Sequence, residues 1–193
     1  KEFPPSPSGT DLWIITGSAH GVYDSLDWMP ELKLLVRNIM KIKCPMLGIC
    51  FGHQLMAEVM GGKVEKSDKG WGVGVHSYKK LENVQWNQSL GESIMGYASH
   101  QDQVTKAPDS SQIIYGSEFC PNSVLAYGNT DAPYALSIQS HPEFTKVCIS
   151  DIIKRRMGAS IPEGLGQDAL KSLAKKIDNA FIFSALLKGL RIA

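Results

Sequence analysis

Two short apolar runs, each leading through a turn into a helical pattern, constrain the fold more than any other feature of this sequence. The first run covers residues 11–16 and ends at Gly17, and residues 28–43 then carry apolar side chains three and four positions apart. The second run covers 45–49, and a second helical segment follows over 51–60. Apolar runs without polar alternation are typical of strands in parallel sheets. This order of elements predicts an α/β fold with a mostly parallel central sheet flanked by helices.

The second half of the chain has a different pattern. Short strand candidates, separated by Gly, Asn, Pro and Asp, predict a smaller mixed or antiparallel strand region. They cover 72–81, 112–119, 123–127 and 134–140, and helices are predicted over 147–157 and 168–190. With 193 residues and neither an internal repeat nor a linker, we expect a single domain over 1–193.

Composition excludes several classes of protein. Twenty Lys and Arg against 19 Asp and Glu give a net charge of +1, which predicts no binding to nucleic acid or to an acidic membrane surface. No apolar run approaches the ~18 residues of a membrane-spanning helix. Four cysteines without a CxxC pair argue against a disulfide scaffold and favour the reducing cytoplasm.

The densest chemical signal is the pattern Gly48-x-Cys50-x-Gly52 between the second strand and its helix. It resembles a nucleophile elbow, a sharp turn that favours small residues two positions away on each side of the nucleophile. The helix N-terminus favours the thiolate form of the cysteine, and the backbone N–H of Phe51 is free to face a developing oxyanion. The alternatives are a buried structural cysteine and a zinc site with Cys44 and His53. Because no CxxC or HxxxH pair exists, we expect no metal.

His141 is the best candidate for the base that a thiolate nucleophile requires. It follows the apolar strand at 134–138, and Glu143 stands two residues later. Because residues i and i+2 of an extended segment point the same way, both side chains are expected to face one site. A carboxylate beside the imidazole would fix its tautomer, as the third member of a catalytic triad does. The alternative is a surface turn at His-Pro-Glu.

These residues resemble the class I (triad) glutamine amidotransferases over most of the chain. Residues 48–54, Gly-Ile-Cys-Phe-Gly-His-Gln, resemble the nucleophile motif of that family, and 139–144, Gln-Ser-His-Pro-Glu-Phe, resemble its His/Glu motif. Residues 16–18 resemble its glycine loop and 99–104 the loop that holds the substrate. Residues 69–74 resemble stand-alone members similar to the glutaminase part of GMP synthase. The resemblance implies a flavodoxin-like fold.

The resemblance also implies a reaction that needs no cofactor. Cys50 would attack the side-chain amide of glutamine, form a γ-glutamyl thioester and release ammonia, while His141 moves the proton and Glu143 orients His141. The residues implied in binding are Gly17, Ser18 and Phe51 for the oxyanion, and Gln54, Ser99, His100, Gln101 and Asp102 for the substrate. The last four are expected in a loop. Simple helix packing is the alternative for Gln54, and a solvated loop position is the alternative for His100.

Domains of that family begin with a strand, a helix and another strand before the glycine loop, whereas only the strand at 11–16 precedes it here. A βαβ unit takes ~30 residues or more, so we expect that the first βαβ portion is missing and that the sequence begins inside the domain.

Three functions fit the sequence. The first is a glutaminase that passes ammonia to a separate synthase subunit, since the chain has no GxxxxGK[ST] phosphate loop of its own. The second is a stand-alone hydrolase of γ-glutamyl peptides or conjugates with the same triad. The third is a non-enzymatic binding or regulatory module, which an intact Cys50, His141 and Glu143 disfavour. Glutamine or a γ-glutamyl small molecule is therefore the expected ligand.

Overall fold

The computed structural model describes residues 2–192, which form nine strands and five α-helices. The strands are β1 Trp13–Ile15, β2 Met46–Ile49, β3 Lys63–Lys66, β4 Gly72–Lys80, β5 Ser93–His100, β6 Asp102–Lys106, β7 Ser111–Gly116, β8 Val124–Asn129 and β9 Ala132–Ile138. The helices are α1 Met29–Lys41, α2 Phe51–Val59, α3 Lys146–Arg156, α4 Glu163–Ser172 and α5 Asn179–Gly189.

Seven of these strands form one mixed sheet in the order β1-β2-β9-β8-β7-β4-β5, and β3 and β6 form a separate antiparallel ribbon. The pairs β1-β2 and β2-β9 are parallel, and the remaining pairs of the large sheet are antiparallel. Ile49 at the end of β2 pairs with Ile138 at the end of β9, and Ile15 at the end of β1 pairs with Gly48. The residues that follow β1, β2 and β9 therefore emerge together at one edge of the sheet.

Successive residues of the buried strands face opposite layers of helices. Met46 packs in the cluster that contains α1 and α2, whereas its neighbour Leu47 packs in the cluster that contains α5. A third cluster joins α3 and α4 to β4 and β5. Burial on both faces explains why β2 is an unbroken apolar run.

The α/β class with a sheet flanked by helices is confirmed, and so are the first two strands and the first two helices. The single helix predicted over 168–190 is wrong, because α4 ends at Ser172 and α5 begins at Asn179. Asp178 causes the restart: its backbone is not helical, and its carboxylate accepts the N–H of Phe181 at 2.9 Å as an N-cap.

The sequence pattern also missed β3, β5 and β6. The β3 segment Lys-Val-Glu-Lys buries only Val64, so it carries almost no apolar signal. No helix within residues 2–192 is long and apolar enough to cross a membrane.

Candidate active site

Cys50 lies at the sharp turn between β2 and α2 and adopts a backbone conformation that non-glycine residues rarely occupy, with φ 52° and ψ −102°. Both flanking glycines are required by close packing. A Cβ on Gly48 would lie 2.5 Å from the sulfur of Met56, and one on Gly52 would lie 2.1 Å from the carbonyl oxygen of Ile15. The turn is closed by the N–H of Cys50, which donates to the carbonyl of Ile138 at 2.9 Å. Local sterics therefore explain the Gly-x-Cys-x-Gly pattern.

His141 is held beyond the end of β9 with its ring fixed on two sides. Its Nδ1 lies 2.7 Å from Oε1 of Glu143, and its ring stacks on Phe144 with centroids 4.0 Å apart. Its backbone N–H donates to Tyr97 of β5 at 2.8 Å. The structure thus brings the side chains of His141 and Glu143 together.

Cys50 and His141 share the same cavity, and Gly17 packs against both. A Cβ on Gly17 would lie 2.8 Å from Cε1 of His141 and 3.7 Å from Cβ of Cys50. Burial lowers the pKa of His141, but hydrogen bonds to Cys50 and Glu143 and the charges of these two groups outweigh burial and raise the pKa to about 9. The imidazole therefore carries a proton near neutral pH.

The backbone around this pair offers N–H groups. Phe51 is the first residue of α2, where N–H groups have no acceptor within the helix. Gly17 and Ser18 follow β1 and line the cavity that Cys50 and His141 line. The hydroxyl of Ser18 accepts the N–H of His20 at 3.1 Å, which holds this turn in place.

Three of the four residues expected in a loop lie in strands, so the expected loop is wrong, whereas their role in holding the substrate stays a prediction. Ser99 and His100 end β5, Asp102 begins β6, and only Gln101 lies between them. The ribbon partner fixes this junction, because β3 pairs with β6 and the carbonyl of Gln101 accepts the N–H of Ser67 at 3.0 Å.

These residues nevertheless line a second cavity beside Cys50, together with Gln54. Gln54 donates from Nε2 to the carbonyl of Asp102 at 2.9 Å and to Oε1 of Gln139 at 3.2 Å. The carboxylate of Asp102 accepts the hydroxyl of Tyr23 at 2.8 Å. The hydroxyl of Ser99 is buried without a hydrogen-bond partner among the described atoms.

His100 is 4% exposed, so it is not the solvated residue that one interpretation allowed. Burial and neighbouring histidines lower its pKa to about 3, and its Nδ1 lies 3.1 Å from the carbonyl oxygen of Asp102. His100 is therefore neutral, and its contact with the carbonyl of Asp102 helps to hold the junction between β5 and β6. His53 is likewise buried, with Nδ1 2.8 Å from the hydroxyl of Ser137, and burial lowers its pKa to about 3.

Sequence reasoning missed several residues that line these cavities, among them Tyr23, Asp24, Lys66, Ile152 and Arg156. Arg156 ends α3, lines both cavities and lies over Trp71 with its guanidinium carbon 5.8 Å from the ring centroid. The only available signal was its place in a Lys-Arg-Arg run, which equally fits a solvated helix end. Among residues 2–192, no group of three or more His, Cys, Asp or Glu is placed to hold a metal ion.

Comparisons with known proteins show what the chain is similar to. Residues 7–149, a range that includes Cys50, His141 and Glu143, match the family model of glutamine amidotransferase class-I. Gamma-glutamyl peptidase 3 of Arabidopsis thaliana is 30% identical over 168 residues, which cover 84% of this chain and 66% of that protein. The glutamine-hydrolysing GMP synthase of Ligilactobacillus salivarius is 35% identical over 132 residues, which cover 67% of this chain and 24% of that protein.

The fold is shared with solved structures as well. A glutamine amidotransferase from Methylobacillus flagellatus superposes with a TM-score of 0.76 at 20% identity, covering 98% of this chain and 80% of that one. The chain spans 66% of gamma-glutamyl peptidase 3 and 67% of gamma-glutamyl peptidase 5 from Arabidopsis thaliana. With the family model matched over residues 7–149, the chain belongs to the class-I glutamine amidotransferase family.

Proposed function

We propose that the chain cleaves the γ-amide bond of glutamine or of a γ-glutamyl amide through a thioester on Cys50. The observation that carries this proposal is the arrangement of Cys50 at the α2 N-terminus in a cavity that His141 also lines, with Nδ1 of His141 2.7 Å from Glu143. A thiolate is stabilised both by a helix N-terminus and by an adjacent imidazolium. We therefore assign Cys50 as the nucleophile.

In the first half-reaction, the thiolate of Cys50 adds to the δ-carbon of the γ-glutamyl group. The negative charge moves to the carbonyl oxygen, where the N–H groups of Phe51 and of the Gly17-Ser18 turn stabilise it. The carbon–nitrogen bond then breaks as the imidazolium of His141 gives its proton to the leaving nitrogen. The products are a free amine or ammonia and a γ-glutamyl thioester.

In the second half-reaction, water replaces the amine. Neutral His141 takes a proton from water, hydroxide adds to the thioester carbon, and the sulfur leaves as the Cys50 thiolate with glutamate released. Glu143 holds the imidazole in one orientation through both steps. The α-amino and α-carboxyl groups of the substrate lie in the cavity lined by Gln54 and residues 99–102, with the Asp102 carboxylate suited to the ammonium.

Two versions of this reaction differ in the fate of the amine. In an amidotransferase, ammonia passes to an acceptor on a separate synthase subunit, as the GMP synthase relatives suggest. In a hydrolase, the leaving group is an amino acid or peptide, as the names of the gamma-glutamyl peptidases suggest. Four free cysteines in the described residues fit the cytoplasm as the place of either reaction.

The substitution Cys50→Ala tests the mechanism. We expect turnover of glutamine and of γ-glutamyl dipeptides to fall at least ~10⁴-fold, because the nucleophile acts as part of a cooperating unit. Thermal unfolding checks that the fold persists, and Cys148→Ala, at an exposed cysteine, is the matched control with unchanged turnover. Retained activity in Cys50→Ala would overturn the thioester mechanism.

A further inference from the structure

We propose that Arg156 binds a carboxylate on the leaving group, so that the preferred substrate is a γ-glutamyl amino acid or peptide rather than glutamine. This inference rests on the proposed cleavage at Cys50 and names the class of substrate. It begins from the two cavities that meet at Cys50, both of which Arg156 lines.

The leaving nitrogen lies on the side of Cys50 from which His141 donates its proton. The cavity on that side is lined by His141, Phe144, Ile152 and Arg156, and its volume is about 400 Å³. Ammonia is similar in size to water, whose share of liquid volume is about 30 Å³. The cavity therefore has room for a leaving group much larger than ammonia, with apolar side chains on one wall and a guanidinium at its edge.

The acidic side chains of the two cavities already have partners. Asp24 accepts the N–H of Gly21 at 3.0 Å, Asp102 accepts the hydroxyl of Tyr23, and Glu143 contacts His141. Each of these bonds uses one oxygen of its carboxylate, and none of the three carboxylates forms an ion pair with Arg156.

Arg156 makes no ion pair with any carboxylate in residues 2–192, and its described contact is with the ring of Trp71. A guanidinium stacked on an aromatic ring keeps its N–H edge available, and that edge matches the two oxygens of a carboxylate. Trp71 thus holds the cation at the cavity edge without neutralising it.

Glutamine has one carboxylate, which belongs to the part that stays on the enzyme as the thioester. A γ-glutamyl amino acid brings a second carboxylate on the carbon next to the leaving nitrogen. Only the second class of substrate presents an anion on the His141 side, where Arg156 has no partner of its own. The charge of Arg156 and the volume of the cavity beside His141 therefore both favour γ-glutamyl amino acids and peptides over glutamine.

The test compares γ-glutamyl-leucine with γ-glutamyl-leucinamide, which differ only in the terminal carboxylate. For each protein the readout is the ratio of kcat/KM for the acid to that for the amide. We expect Arg156→Gln to lower this ratio about 10- to 100-fold relative to the unsubstituted protein, the range for a lost charged hydrogen bond. Arg156→Lys keeps the positive charge and should therefore give a ratio between those of Arg156→Gln and the unsubstituted protein. Arg155→Gln removes a neighbouring exposed charge that lines neither cavity and should leave the ratio unchanged.

The ratio separates this role from the alternative in which Arg156 binds the α-carboxylate of the γ-glutamyl group. In that case Arg156→Gln would lower kcat/KM equally for acid and amide, and the inference would be overturned. An unchanged ratio in Arg156→Gln would also overturn it.

Protection of Cys50 from iodoacetamide gives a second readout that does not depend on turnover. If the unsubstituted protein cleaves neither compound, the proposed reaction fails, and protection then decides the inference. Stronger protection by the acid than by the amide, lost in Arg156→Gln, supports the carboxylate site. Equal protection, or none, overturns it.

Discussion

At the scale of single residues, the protonation state of His141 governs the proposed chemistry. Burial opposes its positive charge, but contacts with Cys50 and Glu143 raise its pKa to about 9. His141 is therefore an imidazolium below that pH and loses its proton above it. The acid that the leaving amine requires is present at neutral pH and disappears on the alkaline side.

The substitution Glu143→Gln tests this electrostatic role. Because it removes a negative charge 2.7 Å from Nδ1, it should lower the pKa of His141. The alkaline limb of the profile of kcat/KM against pH should then shift to lower pH by about 1 unit. Turnover should fall less than in Cys50→Ala, since orientation contributes less than the nucleophile. An alkaline limb at the same pH in both proteins would contradict the assigned role of Glu143.

At the scale of elements, the approach of α2 to β1 fixes the elbow. Gly52 in the first turn of α2 lies so close to Ile15 that any side chain would meet the backbone of β1. Gly52→Ala should therefore lower the free energy of unfolding by about 3 kcal/mol, at the upper end for overpacking. Denaturant titration measures this change.

Gly164→Ala is the matched control within helix α4. A Cβ at this position meets nothing within 4 Å, so alanine should raise the free energy of unfolding by about 0.5–1 kcal/mol through its better helix propensity. Equal stability of the Gly52→Ala and unsubstituted proteins would contradict the packing account of the elbow.

The sequence predicted those elements whose own residues carry a clear apolar pattern. The run before Cys50 and the helix after it are buried almost throughout, and their glycines are explained by contacts at the turn. The β5–β6 junction at Gln101 could not be predicted in the same way. Its strand pairing depends on β3, which lies more than 30 residues earlier and is mostly polar.

At the scale of the whole molecule, the candidate site depends on the order of three parallel strands. Because β1, β2 and β9 are neighbours, Gly17, Cys50 and His141 lie at one edge of the sheet although 124 positions separate the first from the last (141 − 17). The sequence indicated that these three residues lie at the same edge of the sheet, because each of them follows an apolar strand. The positions of Arg156 and Tyr23 could not be anticipated, since neither stands directly after an apolar strand. Arg156 reaches the site at the end of α3, and Tyr23 reaches it from within the loop between β1 and α1. The assignment of 1–193 to a single domain stays a prediction.

The central claim is that a γ-glutamyl thioester forms on Cys50, and acid-quenched peptide mass mapping during turnover of a γ-glutamyl dipeptide tests it most directly. We expect one γ-glutamyl group on the peptide that contains Cys50 and its absence in Cys50→Ala. A γ-glutamyl group on Cys44, Cys120 or Cys148 instead would contradict the account. So would continued turnover with no adduct on Cys50 at any quench time.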